Sequence, residues 1–164
     1  MSCAYLAFTE CGLALAQQLA AACPGPVARC GAGSPRLDEW TATQFAASDA
    51  LIYIGAVGIA VRAIAPHCRS KAADPAVVVL DECGRFAVPL LSGHLGGANA
   101  LARRLAAVCG AVPVITTATD LHGLFAVDEW AKRQGCIVAE PERIKQVSLS
   151  LIHISEPTRP RLIS

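Results

Sequence analysis

Six residues that carry chemistry fall inside one short run, SGHLGGAN: Ser92, Gly93, His94, Gly96, Gly97 and Asn99. A neutral imidazole near pH 7 takes a proton from water or hands one to a leaving group. Glycines permit positive φ and expose their amides, and a nest of amides holds an oxyanion or a carboxylate. His94 is therefore a candidate acid/base. Ser92, Gly93, Gly96, Gly97 and Asn99 are candidate substrate contacts beside it. A plainer reading has His94 capping a backbone carbonyl while the glycines only turn the chain.

Two further constellations invite the same question. GAVGIAVRAIAP, from Gly55 to Pro66, has Gly55 and Gly58 after an apolar run. Such a turn exposes amides at a helix start, and Arg62 adds a bidentate grip on a carboxylate. The alternative is a tight strand-to-helix turn with Arg62 in solvent. The pattern departs from the dinucleotide fingerprint GxGxxG. TTATD places Thr116, Thr117 and Asp120 after a strand, with Asp120 able to orient His94 or cap a helix. Asp81 and Glu82 form a carboxylate pair or simply a turn at Gly84. His67 and Cys68 are adjacent, but no second pair stands at ligand spacing, so no metal site is expected. No GxSxG elbow occurs.

The elements that position these residues alternate in type. AYLAFT (Ala4 to Thr9), PVAR, DALIYIG (Asp49 to Gly55), AVVVLD (Ala76 to Asp81), the end of ECGRFAVPLL, and VPVITTATD read as strands. GLALAQQLAAA, LDEWTATQFAA, IAVRAIAP, ANALARRLAAVC and FAVDEWAKRQG read as helices, with Leu15 and Leu19 on one face of the first. Trp40 and Phe45 should pack inward, and Gly110 should end the fourth helix. Three consecutive valines suggest burial on both sheet faces. The expectation is an α/β fold: an open, mostly parallel sheet with helices on both faces, the three-layer arrangement of Rossmann-like and flavodoxin-like domains. Sites in such sheets gather at the carboxyl ends of the strands. The loops after Thr9, after Ile54, at Ser92–Gly97 and after Ile115 are therefore expected to share one rim.

Composition narrows the classes. A net charge of +1 leaves no basic surplus to displace counterions, which disfavours nucleic acid and anionic lipid as partners. The apolar run Ala50 to Ala65 is interrupted by Gly55, Gly58 and Arg62 and is short for a membrane span. The eight cysteines are scattered without a CxxC pair, so they read as small hydrophobes in a reduced, cytoplasmic protein. The stretch LSLIHISEPTR, from Leu149 to Arg159, resembles the in-frame translation of a transposase-library sequencing adapter. Residues 149–164 are accordingly set apart from fold reasoning, and 1–148 is expected to be a truncated part of a longer protein.

Together, GAVGIAVRAIAP, DPAVVVLDECGRFAVPLLSGHLGGANALARRLA and PVITTATD resemble the CbiG family, the cobalt-precorrin-5A hydrolases of cobalamin biosynthesis. The resemblance implies hydrolytic opening of the δ-lactone of cobalt-precorrin-5A with release of acetaldehyde, giving cobalt-precorrin-5B. Water is the co-substrate, and cobalt belongs to the macrocycle, so no protein cofactor is implied. Neighbouring pathway enzymes are conceivable partners. Family members carry a further C-terminal domain that nothing after Ser148 matches. Two other readings remain open: a tetrapyrrole-binding or handover module without chemistry of its own, and a nucleotide-binding α/β domain. On the hydrolase reading, His94 and Asp120 are the catalytic candidates. Gly55, Gly58, Arg62, Ser92, Gly93, Gly96, Gly97, Asn99, Thr116 and Thr117 hold substrate.

Overall fold

A computed structural model describes residues 1–31, 35–70, 73–94 and 96–117. The chain divides into two units, Met1–Ile115 and Thr116–Ser164, and the second is described only at Thr116 and Thr117. The proposed closing helix FAVDEWAKRQG, Asp120 and the tail from Leu149 lie outside the described residues.

The first unit is built on β1 (Cys3–Ala7), α1 (Glu10–Ala22), β2 (Val27–Arg29), α2 (Leu37–Ala47), β3 (Ala50–Ile54), α3 (Val57–Ile64), β4 (Ala76–Leu80), β5 (Phe86–Leu91), α4 (Ala98–Cys109) and β6 (Val112–Pro113). The strands form one sheet in the order β2-β1-β3-β4-β5-β6. This is the expected α/β architecture. The first strand stops at Ala7 rather than Thr9, because Thr9 becomes the cap of α1 and its hydroxyl accepts the Gly12 amide at 3.0 Å. The strand expected from Val112 onward is only two residues long and includes Pro113, which has no amide to give a ladder.

Period-2 alternation explains the layers. Tyr5, Ile52, Ile54, Val78 and Leu80 face a core closed by α1 and α4 through Leu15, Leu19, Leu101 and Leu105. Leu6, Leu51, Tyr53, Val77 and Val79 face the other side, under Trp40 of α2 and Ile64 of α3. The three valines of β4 are thus buried on both faces, as their run suggested. Gly110 ends α4 in the left-handed region at φ 78°, its amide bonded to the Ala106 carbonyl at 2.8 Å.

Strand direction is the feature that matters for the site. β1, β2, β3 and β4 are mutually parallel, but β5 runs antiparallel to β4, with Leu80 opposite Ala87 and Val77 opposite Leu91. The link from Asp81 to Arg85 is far too short for a parallel crossover, which takes a dozen or more residues. Instead the Asp81 carboxylate accepts the amides of Cys83, Arg85 and Phe86 at 3.0, 2.9 and 2.7 Å, and Gly84 adopts φ 65°. The turn reading of Asp81 is the one the fold uses. β6 then runs parallel to β5, so β5, α4 and β6 form a βαβ unit pointing opposite to the first four strands.

Candidate functional site

The sheet therefore has two carboxyl-end rims. The β3 rim is where β1, β3 and β4 end. The β5 rim is where β5 ends, beside the starts of β3 and β4. Ser92 and Gly55 are separated along the sheet by five residues, roughly 16 Å at about 3.3 Å each. The expectation that the Gly55 turn and the His94 loop share one rim is corrected on this point. The physical reason is the reversed direction of β5.

At the β5 rim, the loop from Ser92 into α4 is held from within. Ser92 is buried and left-handed at φ 56°, and its hydroxyl donates to the buried Asp74 carbonyl at 2.9 Å. A serine in that conformation is uncommon and is held by its surroundings. Its own carbonyl accepts the Ala98 amide at 3.1 Å, and the Gly93 carbonyl accepts Asn99 at 3.0 Å. Gly97 is left-handed at φ 84° and caps α4, while its amide donates to the His94 carbonyl at 3.0 Å.

These bonds revise the roles expected of the glycines. The Gly97 amide closes a turn in this conformation and is not presented to a ligand. Gly93 and Gly96 do not adopt positive φ. They are glycine for want of space. A methyl on Gly93 would stand 2.9 Å from Asn99 Oδ1, and one on Gly96 only 2.3 Å from the Ser92 Cβ. Asn99 is itself buried, lying over Gly93, so it supports the loop from beneath. His94 is half-buried on this scaffold, with its Nδ1 shielded from solvent.

A cavity of about 450 Å³ lies just before β4, lined by Phe45, Pro66, His67, Arg69, Asp74 and Pro75 among others. Asp74 belongs to both cavity and loop, since its carbonyl anchors Ser92 and its carboxylate accepts the Arg69 amide at 2.9 and 3.1 Å and the Ser70 amide at 3.0 Å. Burial, and secondarily the Asp74 charge, push the neighbouring Cys68 thiol above its usual range. None of these residues was a candidate substrate contact from sequence. From sequence His67 reads only as a possible metal ligand, and a single acid before a proline carries no local signal.

The β3 rim is chemically different. Gly55 is packed against Phe8, where a methyl would lie 2.6 Å from the ring. It opens on a cavity of about 360 Å³ lined by Phe8, Thr9, Ile54, Gly55, Ala56, Ile59, Asp81 and Glu82. The charged side chains there are acidic, and Glu82 accepts the Thr9 hydroxyl at 2.7 Å. Like charge meets any carboxylate that enters. Gly58 is exposed, and the Arg62 guanidinium reaches back one helical turn to lie near it on the solvent side of α3. Thr116 is exposed and Thr117 half-buried. Among the described residues no cluster of His, Cys, Asp and Glu could hold a metal ion, and no helix is long and apolar enough to cross a membrane.

Residues 39–120 match the family model described as Cobalamin synthesis G N-terminal. The chain belongs to the cobalamin synthesis G N-terminal family. Both glycine-containing turns and the His94 loop lie within the span that this family model matches. A cobalt-precorrin-5A hydrolase from Salmonella typhimurium is 48% identical over 141 residues, covering 79% of this chain and 39% of the relative. Another from Priestia megaterium is 45% identical over 106 residues, covering 65% of this chain and 28% of the relative. The fold of this family member also resembles the crystal structure of a cobalamin biosynthesis protein G homologue from Sulfolobus solfataricus. That match has a TM-score of 0.61 and 24% identity, covering 93% of this chain and 46% of that one. The chain thus spans well under half the length of the curated relatives it matches.

Proposed function

We propose that this chain is part of a cobalt-precorrin-5A hydrolase, and that the His94 loop at the β5 rim does its proton transfers. The observation that carries the proposal is the 48% identity to the Salmonella typhimurium hydrolase across 141 residues. In the reaction, water adds to the lactone carbonyl and the acyl–oxygen bond breaks, leaving a carboxylate and an alcohol. The alcohol then loses its proton, the adjacent carbon–carbon bond breaks, and the two-carbon bridge leaves as acetaldehyde. The bonding pair stays on the macrocycle and is protonated there. Each stage needs a group that takes and returns a proton, and an imidazole does both. His94 supplies it from a loop anchored by the bonds of Ser92, Gly93 and Gly97 and by the close approach of Gly93 to Asn99 and of Gly96 to Ser92. Rigid positioning of a proton carrier is what such catalysis requires.

Gly55, Gly58 and Arg62 do not share this rim. The acidic lining beside Gly55 is a poor seat for a carboxylate-fringed ring. Asp120 keeps its proposed catalytic part, and Thr116 and Thr117 theirs as substrate contacts, on sequence grounds. The direct test is acetaldehyde release from cobalt-precorrin-5A by the full-length protein. Release that depends on His94 supports the proposal, and release unchanged in His94→Ala removes His94 from it.

A second reading has its own support. The chain covers 39% of the Salmonella typhimurium relative, so the rest of such a protein has ample room to carry the chemistry. The chain would then bind or hand over the tetrapyrrole. Binding of cobalt-precorrin-5A by this chain, without acetaldehyde until the remainder is supplied, is the outcome that reading predicts.

A further inference from the structure

We infer that the cavity between α2 and the turn Ala65–His67 seats one carboxylate arm of the macrocycle, gripped by Arg69. This inference rests on the hydrolase reading and names a part of its substrate site. Three observations carry it. The cavity of about 450 Å³ is walled by Phe45, Pro66 and Pro75 and has a polar lining of His67, Arg69 and Asp74. The Asp74 carboxylate is taken up by the amides of Arg69 and Ser70, which leaves the Arg69 guanidinium as the group that suits an acidic arm. Among the described residues no carboxylate stands in ion-pair range of the exposed Arg69 guanidinium, so its charge is available to a ligand. His67 lies with its ring 5.6 Å from that of Phe45, at a tilt of 35°, which gives the cavity a flat aromatic wall.

Position is the fourth observation, beside those three. The Asp74 carboxylate holds the amides of Arg69 and Ser70, and its carbonyl receives the Ser92 hydroxyl. One buried residue thus fixes the arginine segment and the root of the His94 loop together. A ring whose arm is held by Arg69 is brought to the rim that carries the imidazole. The cavity at the opposite rim offers Asp81 and Glu82 instead, and repels the same arm.

The probe is cobyrinic acid, a stable corrin with free carboxylates, compared with its methyl ester, which has none. Binding to the chain is followed by the shift of the corrin absorption bands. Arg69→Ala removes only an exposed side chain, because the bonds to Asp74 are made by the backbone. It should weaken cobyrinic acid about tenfold or more, the scale of one lost charge-assisted hydrogen bond. Arg69→Lys should lie between the two, since it keeps charge and loses the fork. The ester should bind weakly and equally to all three proteins. Unchanged affinity in Arg69→Ala, an ester that binds as well as the acid, or no binding of the acid to the unmodified chain each overturns the inference. Acetaldehyde release by the full-length protein is scored separately. Turnover with an Arg69-independent Kd refutes the cavity and spares the hydrolase reading, whereas absent turnover refutes that reading whatever the Kd.

Discussion

Ser92 combines three facts that a single substitution separates: burial, a left-handed backbone and a hydroxyl bonded to the Asp74 carbonyl at 2.9 Å. Ser92→Ala keeps the strained φ and leaves a buried carbonyl short of a donor. Urea unfolding should show a loss of about 1–2 kcal/mol. Gly96→Ala puts a methyl into space already filled by the Ser92 Cβ and carbonyl. It should cost about 1–3 kcal/mol, the range for overpacking, because the obstacle includes backbone that cannot swing away. His94→Ala is different in kind, since a half-buried imidazole at a rim carries little of the fold. Its melting temperature should stay near that of the parent, while kcat for acetaldehyde release by the full-length protein should fall about a hundredfold or more. The type and spacing of SGHLGGAN mark a turn into a helix, which the structure has at Ser92 to Ala98. What each glycine does was not legible there. Its conformational freedom is used at Gly97, whereas Gly93 and Gly96 answer to neighbours in space that a linear string does not display.

Helix identity was readable at α4 from its apolar stripe Ala98, Leu101 and Leu105, and at α2 from the acidic first turn Asp38 and Glu39. LDEWTATQFAA and ANALARRLAAVC were marked from sequence at the bounds that α2 and α4 adopt. Strand direction was missed, although a signal existed. The five residues Asp81 to Arg85 admit only an antiparallel return, a signal that the alternation of strands and helices masks. At this scale the packing of β3 on α2 gives a pH-dependent prediction. Tyr53 is fully buried against Trp40, with its hydroxyl 2.9 Å from Thr41 Oγ1, and burial pushes its pKa up to about 12. The unfolded chain ionises near 10. The stabilising share is therefore complete below pH 10 and is lost as pH rises toward 12, because the unfolded state releases its proton first. Tyr5 is raised in the same direction by burial, its hydroxyl donating to the Cys23 carbonyl at 2.6 Å. Urea midpoints at pH 8 and pH 11 should differ more for the parent than for Tyr53→Phe. An equal difference would mean that Tyr53 does not titrate with folding.

For the whole molecule, the decisive property is that one sheet presents two rims of unlike character. One carries the acidic pair Asp81 and Glu82 beside the Gly55 turn, and the other carries His94, His67 and Arg69 with the single carboxylate of Asp74, which backbone amides hold. On the proposed reading, a carboxylate-rich macrocycle is drawn to the second rim and repelled by the first. Two-dimensional amide NMR of the labelled chain titrated with diamagnetic cobyrinic acid tests this most directly. The account predicts shifts concentrated at His67, Arg69, Asp74 and Ser92 to Asn99, with Phe8, Gly55, Ile59 and Glu82 left in place. Shifts confined to the second set, with the His94 loop unmoved, would contradict it.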